Sequence, residues 1–433
     1  MKPPAGPISI QADLDYLYSL NGRGIKPGLE RIQKLLAELG DPQNCLKIIH
    51  VAGTNGKGST CAIIASILRA AGFRVGLYTS PHLLRFNERI RIDDVEIKDS
   101  EIAAFTRRWH LPIDRYDCSF FEATTAMAFD HFRNAKVDFV VLETGMGGRF
   151  DATNVVRPEV TVITPIARDH QEFLGKRLKQ IAFEKAGIAK SGVPCVVARQ
   201  TLRVDKFLAD EIQPRGSRLV WAAEHCHITT TRQYSDSQEL NLSVGNIPVA
   251  GLRFPLIGTH QLINLQTALT AATLIKDLKI TETILRAGIA AVTWPGRLQI
   301  LCKKPLFYFD VGHNQHGIRS AVSTLKKQFP GRPIHLMLAL GNQKKFDRIG
   351  NIIRPLGGEV YITEIPKHPS APAELIAKNI RVMVSPDRVF INPDAVRLLN
   401  HLSARLKPRD MLLIIGSHYL APTVLPFFRT DLR

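Results

Sequence analysis

The chain has 433 residues, of which 45% are hydrophobic and 22% charged, and its formal net charge is +18. That length predicts two or three domains with separate cores, and the composition is that of a soluble globular enzyme, not a fibrous or disordered chain. No apolar run approaches the roughly 18 residues of a membrane span, and the charge favours an anionic partner, a polyanionic small substrate ahead of nucleic acid because no nucleic-acid motif accompanies it.

The first residues, MKPPAGPISIQADLDYL, lack the apolar stretch of a signal peptide. Two short amphipathic helices are predicted over 13–20 and 29–39, joined by NGRGIKPG, whose Ile25, Lys26 and Pro27 are candidates to lie over a ligand. An apolar run at 48–51 then meets Gly53, Gly56 and Gly58, and Ile63, Ile64, Ile67, Leu68 and Ala71 follow at helical spacing. Strand, glycine-rich loop and helix N-terminus make a cradle for nucleotide phosphates, with Lys57 adding a full charge and Ser59 or Thr60 facing a bound magnesium ion. The spacing departs from G-x-x-x-x-G-K-[ST], since residue 51 is Val and Gly58 follows the lysine. The competing reading is an ordinary strand-to-helix turn, which rarely needs three glycines and a lysine.

A strand over 74–79 leads into SPHLLRFNERIRI, with His82, Arg85, Arg89 and Arg91. This is either a ligand-binding segment past a strand's carboxyl end or a solvated hairpin, 89–92 with 95–97. The helix predicted over 119–132 carries Phe120, Phe121, Phe129 and Phe132, by spacing mostly core. Strands over 137–142 and 160–164 deliver Glu143, and then Asp169 and His170, at their tips; such groups suit magnesium beside a triphosphate. Lys185, by spacing, is a solvated helix lysine. Strands at 193–198 and 218–221, a small antiparallel sheet near 226–250, and helices at 260–276 and 281–292 complete a first domain, 1–295.

After Trp294-Pro-Gly-Arg297 the alternation starts afresh, giving a second domain, 296–433. Strands are predicted at 306–310, 333–339, 358–363 and 411–415, with helices at 315–327, near 346–354, and at 372–379 and 394–405. The fold class is therefore α/β: an ATPase-like domain with a mostly parallel sheet plus a small antiparallel one, and a doubly wound C-terminal domain. Six cysteines without a C-x-x-C pair predict reduced thiols and a cytoplasmic protein.

Nine ordered blocks carry a family resemblance: HVAGTNGKGST (50–60), TSPHLLRFNERIRI (79–92), LETGMGGRFDATN (142–154), TPIARDHQEFLG (164–175), FEKAGIAK (183–190), GTHQLINLQTA (258–268), PGRLQ (295–299), FDVGHNQHG (309–317) and GSHYL (416–420). With them the chain resembles the folylpolyglutamate synthase and dihydrofolate synthase family of Mur-type ATP-dependent amide ligases. The resemblance implies that Gly53, Thr54, Asn55, Gly56, Lys57, Gly58, Ser59 and Thr60 hold ATP, joined by Asn264, Arg297, Asp310 and His313 from the boundary and second domain. It implies Ser80, Glu143 and His170 as magnesium ligands, a carbamylated Lys185, and catalytic roles for Lys57, His170 and Lys185. The pterin-bearing substrate would meet Ile25, Lys26, Pro27, His82, Arg85, Ser119, Phe120, Phe121, Glu122, Phe150, Asp151 and Ala152.

The reaction so implied is ATP-dependent addition of L-glutamate to dihydropteroate and to tetrahydrofolate and its polyglutamates, through an acyl phosphate, by a monomer with no nucleic-acid or membrane partner. The alternatives are tail-lengthening activity alone, another Mur-type ligase, or a nucleotide-binding regulatory protein. One departure stands out: where family members carry D-K-D, this chain reads GNQKKFDR, with Phe346 in the lysine's place and Asp347 keeping the second acid.

Overall fold

The structure, a computed structural model, describes residues 10–342 and 348–428. Contacts divide the chain into two compact units, Met1–Cys226 with Gln266–Gly288 and His227–Leu265 with Ile289–Arg433. The Phe346 and Asp347 departure lies outside the described residues.

The first unit begins with helices α1 (Gln11–Ser19) and α2 (Glu30–Glu38). Then come β1 (Ile48–Ala52), α3 (Lys57–Ala70), β2 (Val75–Tyr78), the pair β3 (Ile90–Ile92) and β4 (Val95–Glu96), α4 (Asp99–Arg115), α5 (Phe120–Asn134) and β5 (Phe139–Glu143). It continues with β6 (Val160–Ile163), α6 (Gln171–Leu174), α7 (Leu178–Ala186), β7 (Cys195–Val197), α8 (Leu202–Ile212), β8 (Leu219–Trp221) and α9 (Ala222–His225). Strand order is β4-β3-β2-β5-β1-β6-β7-β8, parallel from β2 to β8 and antiparallel at β3 and β4. Every residue of β1, β5 and β6 is buried, which is why these strands read as apolar runs without alternation. Because β1 lies between β5 and β6 and parallel to both, the loops leaving all three reach one sheet edge. One core packs α1, α2, α4 and α5 with Tyr78, Val140 and Leu142; a second packs α7 and α8 with Ile163, Cys195 and Val197.

In the second unit β9 (Cys226–Gln233), β10 (Gln238–Val244) and β11 (Ile247–Phe254) form the small antiparallel sheet, longer than the 226–250 expected. Helices α10 (Thr259–Ala272) and α11 (Glu282–Ala290) follow, divided between the units by their contacts. Then come β12 (Gln299–Lys303), β13 (Leu306–Asp310), α12 (Gln315–Gln328), β14 (Ile334–Leu338), α13 (Ile349–Ile353), β15 (Gly357–Ile362), α14 (Ala373–Ile380), β16 (Val389–Ile391), α15 (Ala395–Arg405), β17 (Met411–Ile415) and α16 (Ala421–Phe427). They build a sheet of order β12-β13-β17-β14-β15-β16, antiparallel only at β12.

The α/β architecture is as expected, but α4, α8, β12, β16 and α16 were not. The α4 stretch contains Pro112, which punctuates the helical pattern, yet tertiary packing of Ile102, Phe105 and Ile113 keeps the helix whole. β16 has three residues and acquires strand geometry only from pairing with β15. The hairpin alternative for 89–97 is present as β3 and β4. Its leading segment is not solvated, however: Phe86, Asn87, Glu88 and Arg89 are all buried. Among the described residues no helix is long and apolar enough to cross a membrane.

Candidate active site

The phosphate loop leaves β1 and is pinned at once. The N–H groups of Thr54 and Asn55 both donate to the Pro165 carbonyl at 3.1 and 3.2 Å, and the Thr54 hydroxyl donates to Ala167 O at 3.1 Å. Gly53 sits at φ +148°, where a Cβ would come within 1.8 Å of Thr164 Oγ1, so only glycine lets the β1 and β6 tips close together. Gly56, left-handed at φ 89°, turns the chain into α3, whose first residue is Lys57. Gly58, Ser59 and Thr60 lie in the first turn, all buried. The Ser59 and Thr60 hydroxyls make no hydrogen bond among the described residues. Buried orphan hydroxyls are costly, and at a helix N-terminus they fit a phosphate or the shell of a hard cation.

Lys57 Nζ lies 3.7 Å from Glu143 Oε1, and the Ser80 N–H donates to Glu143 Oε2 at 3.0 Å. Thus Ser80 and Glu143, expected together, are together, beside the lysine. His170 is exposed, in left-handed geometry at φ 46°, with its N–H donating to Asp169 Oδ1 at 3.0 Å. Among the described residues no three His, Cys, Asp or Glu side chains cluster as a metal site. The Glu143 carboxylate and the Ser80 hydroxyl are oxygen donors of the kind a hard cation takes, whereas His170 offers a nitrogen.

Lys185 is not a solvated helix lysine. It is buried, and its amine donates to Gly53 O at 2.7 Å. Burial, reinforced by the charge of Lys57 and opposed by Asp169 and Asp151, pushes its pKa down to about 7. The loop after β5 docks on the end of α7 that carries this lysine: Arg149 N–H donates to Glu184 O at 2.8 Å, and a Cβ at Gly148 would meet Glu184 O at 2.8 Å.

Beneath that loop runs a buried chain whose His50 and Thr153 sequence reasoning missed, and which engages Asp151, expected there to meet the substrate. Thr153 donates from its hydroxyl to Asp151 Oδ1 at 2.5 Å, and its N–H donates to the same oxygen at 3.0 Å, while Met146 N–H donates to Oδ2 at 2.8 Å. With the Thr153 proton so used, the 2.8 Å contact from His50 Nε2 must be a donation to Thr153 Oγ1. Burial, then Lys190, pushes the His50 pKa down to about 3, which keeps the ring neutral, and Nδ1 has no partner among the described residues. Burial raises the Asp151 pKa while these donors oppose it. A polar residue inside the apolar run IIHVA was the available signal.

On the expected substrate side, Phe121 is half-buried and lies against Gly145, where a Cβ would meet the ring at 2.6 Å. Phe150 is exposed, with the Arg149 guanidinium 4.2 Å from its ring centre. Phe120 belongs to the core instead, stacked on Tyr18 at 5.7 Å with the Arg89 guanidinium 5.2 Å from its ring centre. Arg89 also donates to His82 Nδ1 at 2.9 Å, and Arg85 pairs with Glu96. Glu122, expected to meet pterin N–H groups, is 4% exposed and already engaged. It accepts from Ser119 N–H and Oγ at 2.8 and 2.7 Å, closing the start of α5, and pairs with Arg31 at 3.1 Å. Arg31 also donates to Lys26 O at 2.6 Å, which ties down the loop of Ile25, Lys26 and Pro27; Ile25 and Pro27 are exposed, and Lys26 pairs with Asp117. Ala152 is buried beside Asp151.

In the second unit, Asp310 at the end of β13 accepts from Leu298 N–H at 3.0 Å and Gly312 N–H at 2.7 Å, and burial raises its pKa against the pull of Arg297. His313 Nδ1 lies 3.2 Å from Val311 O. Asn264 is buried and donates to Gln261 Oε1 at 2.9 Å. Nearby His260, unnoticed in the sequence, is driven down to about pKa 4 by burial and then by Arg297 and His316.

The Mur ligase middle domain matches residues 51–272 and the Mur ligase glutamate ligase domain matches 296–418. The chain is 32% identical over 406 residues to a Bacillus subtilis dihydrofolate synthase/folylpolyglutamate synthase, covering 92% of this chain and 94% of the relative. It superposes with TM-score 0.89 on Mycobacterium tuberculosis folylpolyglutamate synthase complexed with ADP and AMPPCP, at 31% identity over 98% of this chain and 100% of that one. With E. coli FolC in complex with DHPP and ADP the TM-score is 0.86, at 30% identity and 98% coverage of each chain. A phosphate loop of this unusual spacing, a glutamate at the next strand tip and a buried lysine behind both are thus met in a chain matched along nearly its whole length, and the chain belongs to the folylpolyglutamate synthase/dihydrofolate synthase family of Mur-type ligases.

Proposed function

We propose that this chain adds L-glutamate both to dihydropteroate and to tetrahydrofolate and its polyglutamates, forming ADP and phosphate. The observation that carries the reading is the pairing of half-buried Lys57 with buried Glu143 at the phosphate loop, with the Lys185 amine nearby, its pKa pushed down to about 7 by burial. The substrate carboxylate, ionised at pH 7, attacks the γ-phosphorus of ATP, the bond to ADP breaks, and an acyl phosphate forms. The glutamate amine then attacks the acyl carbon, phosphate leaves, and the amine's proton passes to solvent. Lys57 offsets the repulsion between two anions in the first step. Ser80, Glu143 and His170 are the groups proposed to hold magnesium, which when bound supplies further charge neutralisation at the phosphates.

Lys185 is proposed to be carbamylated: the neutral amine attacks carbon dioxide, an N–C bond forms as a C=O π bond opens, and a proton leaves. A pKa near 7 supports this, because only the neutral amine is a nucleophile. The product is an anion beside Lys57. In the second unit Asn264, Arg297, Asp310 and His313 are the groups proposed for ATP, and residue 296 is the proposed start of that domain. The protein is proposed to act as a cytoplasmic monomer; none of its six cysteines is disulfide-bonded among the described residues.

The test is ADP release by the purified protein with ATP and glutamate, comparing dihydropteroate, tetrahydrofolate and a peptidoglycan precursor. Turnover of both pterins is expected. Turnover of tetrahydrofolate alone reduces the reading to tail lengthening, and use only of the precursor overturns it. Because Glu122 caps α5 and pairs with Arg31, Phe121→Ala and Phe150→Ala are better probes of pterin selectivity than Glu122→Ala.

A further inference from the structure

His50 is the polar exception in β1, where Ile48, Ile49, Val51 and Ala52 are apolar and buried. Its ring is fully buried and pairs through Nε2, 2.8 Å from Thr153 Oγ1, while Nδ1 has no partner among the described residues. A β-branched residue would fill this place as its neighbours do, without burying an unpaired acceptor. What the ring holds accounts for that cost. Its N–H leaves the Thr153 proton for Asp151 Oδ1, and Asp151 Oδ2 takes the Met146 N–H, so the carboxylate closes the loop 146–151 on itself. With glycines at 145, 147 and 148, that loop has little rigidity of its own. It sets Gly145 against the Phe121 ring and carries exposed Phe150. A second anchor, from Arg149 N–H to Glu184 O, ties the loop to α7 without Asp151. The His50 anchor is rigid because β1 is paired on both sides, to β5 and to β6.

We propose that His50 is a positioning residue: acting through Thr153, it holds the Asp151 carboxylate and the loop bearing Phe150 in place for the pterin-bearing substrate, an inference that rests on the proposed function. Fully buried, the ring itself touches no ligand. Asp151 accepts from Thr153 N–H, Thr153 Oγ and Met146 N–H; a carboxylate has about four acceptor sites, so one is left for a substrate N–H. Without the ring, nothing fixes the Thr153 hydroxyl as the donor to Asp151, and the substrate side of the loop loosens. The α7 side keeps its Arg149 anchor, and with it the surroundings of Lys185. The effect is therefore confined to one substrate.

The experiment measures KM for tetrahydrofolate and for ATP in the full chain carrying His50→Val, His50→Gln, Thr153→Val, or His50→Val with Thr153→Val. Expected for His50→Val is a rise of about fivefold in the tetrahydrofolate KM, with kcat and the ATP KM within about twofold of wild type. His50→Gln keeps an N–H to donate and should recover most of the loss. The double variant should be no worse than Thr153→Val alone, since both changes break one chain. Equal rises for both substrates, no rise for either, or additive effects overturn the proposal, because a merely structural histidine gives those. If His50→Val does not fold, Thr153→Ser and Thr153→Val carry the comparison. Retention of the tetrahydrofolate KM by Ser and its rise in Val uphold the chain, and no difference overturns it. If wild type turns over no folate, the proposed function fails by itself, and hydrogen exchange over 144–154 judges the anchor. Faster exchange in His50→Val than in wild type and His50→Gln upholds it, and equal exchange overturns it.

Discussion

The two flanks of the phosphate loop treat charge in opposite ways. On the side of α1, α2, α4 and α5, cations meet carboxylates: Arg23 with Asp114, Lys26 with Asp117, Arg31 with Glu122, Arg107 with Asp13 and Arg115 with Glu38. On the side of β6 and β7, exposed cations such as Arg199 and Arg203 at the sheet edge have no such partner among the described residues. For Glu122 and Asp13 the difference follows from desolvation, whereas Asp114, Asp117 and Arg115 are paired while still exposed. Where helices cover the sheet, a charge such as Glu122 or Asp13 loses water and is tolerable only when paired and hydrogen-bonded. Where the chain remains exposed, an unpaired charge costs little in stability and stays available to a ligand. Net charge alone does not distinguish these cases; pairing and burial do.

The sharpest test of what the flanks share is Lys57→Ala. It removes the charge that faces both β5 and α7, and is expected to lower kcat about a hundredfold, roughly 3 kcal/mol in the transition state, with the fold intact by circular dichroism. Near-normal turnover would break the phosphate-loop assignment. Next comes the paired flank. Arg31→Met leaves Glu122 buried without its cation and frees the Lys26 carbonyl, so a loss of about 2 kcal/mol in urea unfolding is expected. A loss below about 0.5 kcal/mol would erase the contrast between flanks.

Lys185 supplies a pH effect of intermediate size. Its folded pKa of about 7 lies below its ordinary 10.5, so the cost of burying the ammonium is full below pH 7 and fades as pH rises from 7 to 10.5. Stability should therefore gain from this group across that window, and the gain should vanish in Lys185→Met. Over pH 6 to 8 the neutral amine increases about tenfold, and a carbon-13 carbamate signal should grow in parallel. A signal that falls with pH would contradict the assignment. The smallest effect belongs to the unpaired flank: Arg203→Gln should change stability by no more than about 0.5 kcal/mol, and a larger loss would mean that this cation has a structural partner.

Strand, glycine-rich loop and helix around Lys57 were legible from local pattern, because three glycines, a lysine and a helical apolar period within two dozen residues have few other solutions. The same holds for Glu143 at a strand tip and for the α/β alternation on both sides of residue 294. These are properties of short stretches. What the sequence left undecided were the partners of individual side chains. Phe120 and Phe121 are adjacent and chemically identical, yet packing assigns the first to the Tyr18 core and the second to Gly145. Glu122 offered a pterin ligand by position, but Arg31, 91 residues away, and Ser119 claim its carboxylate. Lys185 read as a surface lysine until Gly53, 132 residues away, received its amine in a buried site. Local pattern determines where elements and loops fall, since backbone geometry depends on near neighbours. Which charges are buried, paired or left in water depends on contacts between residues far apart in the chain, and only the tertiary structure decided those.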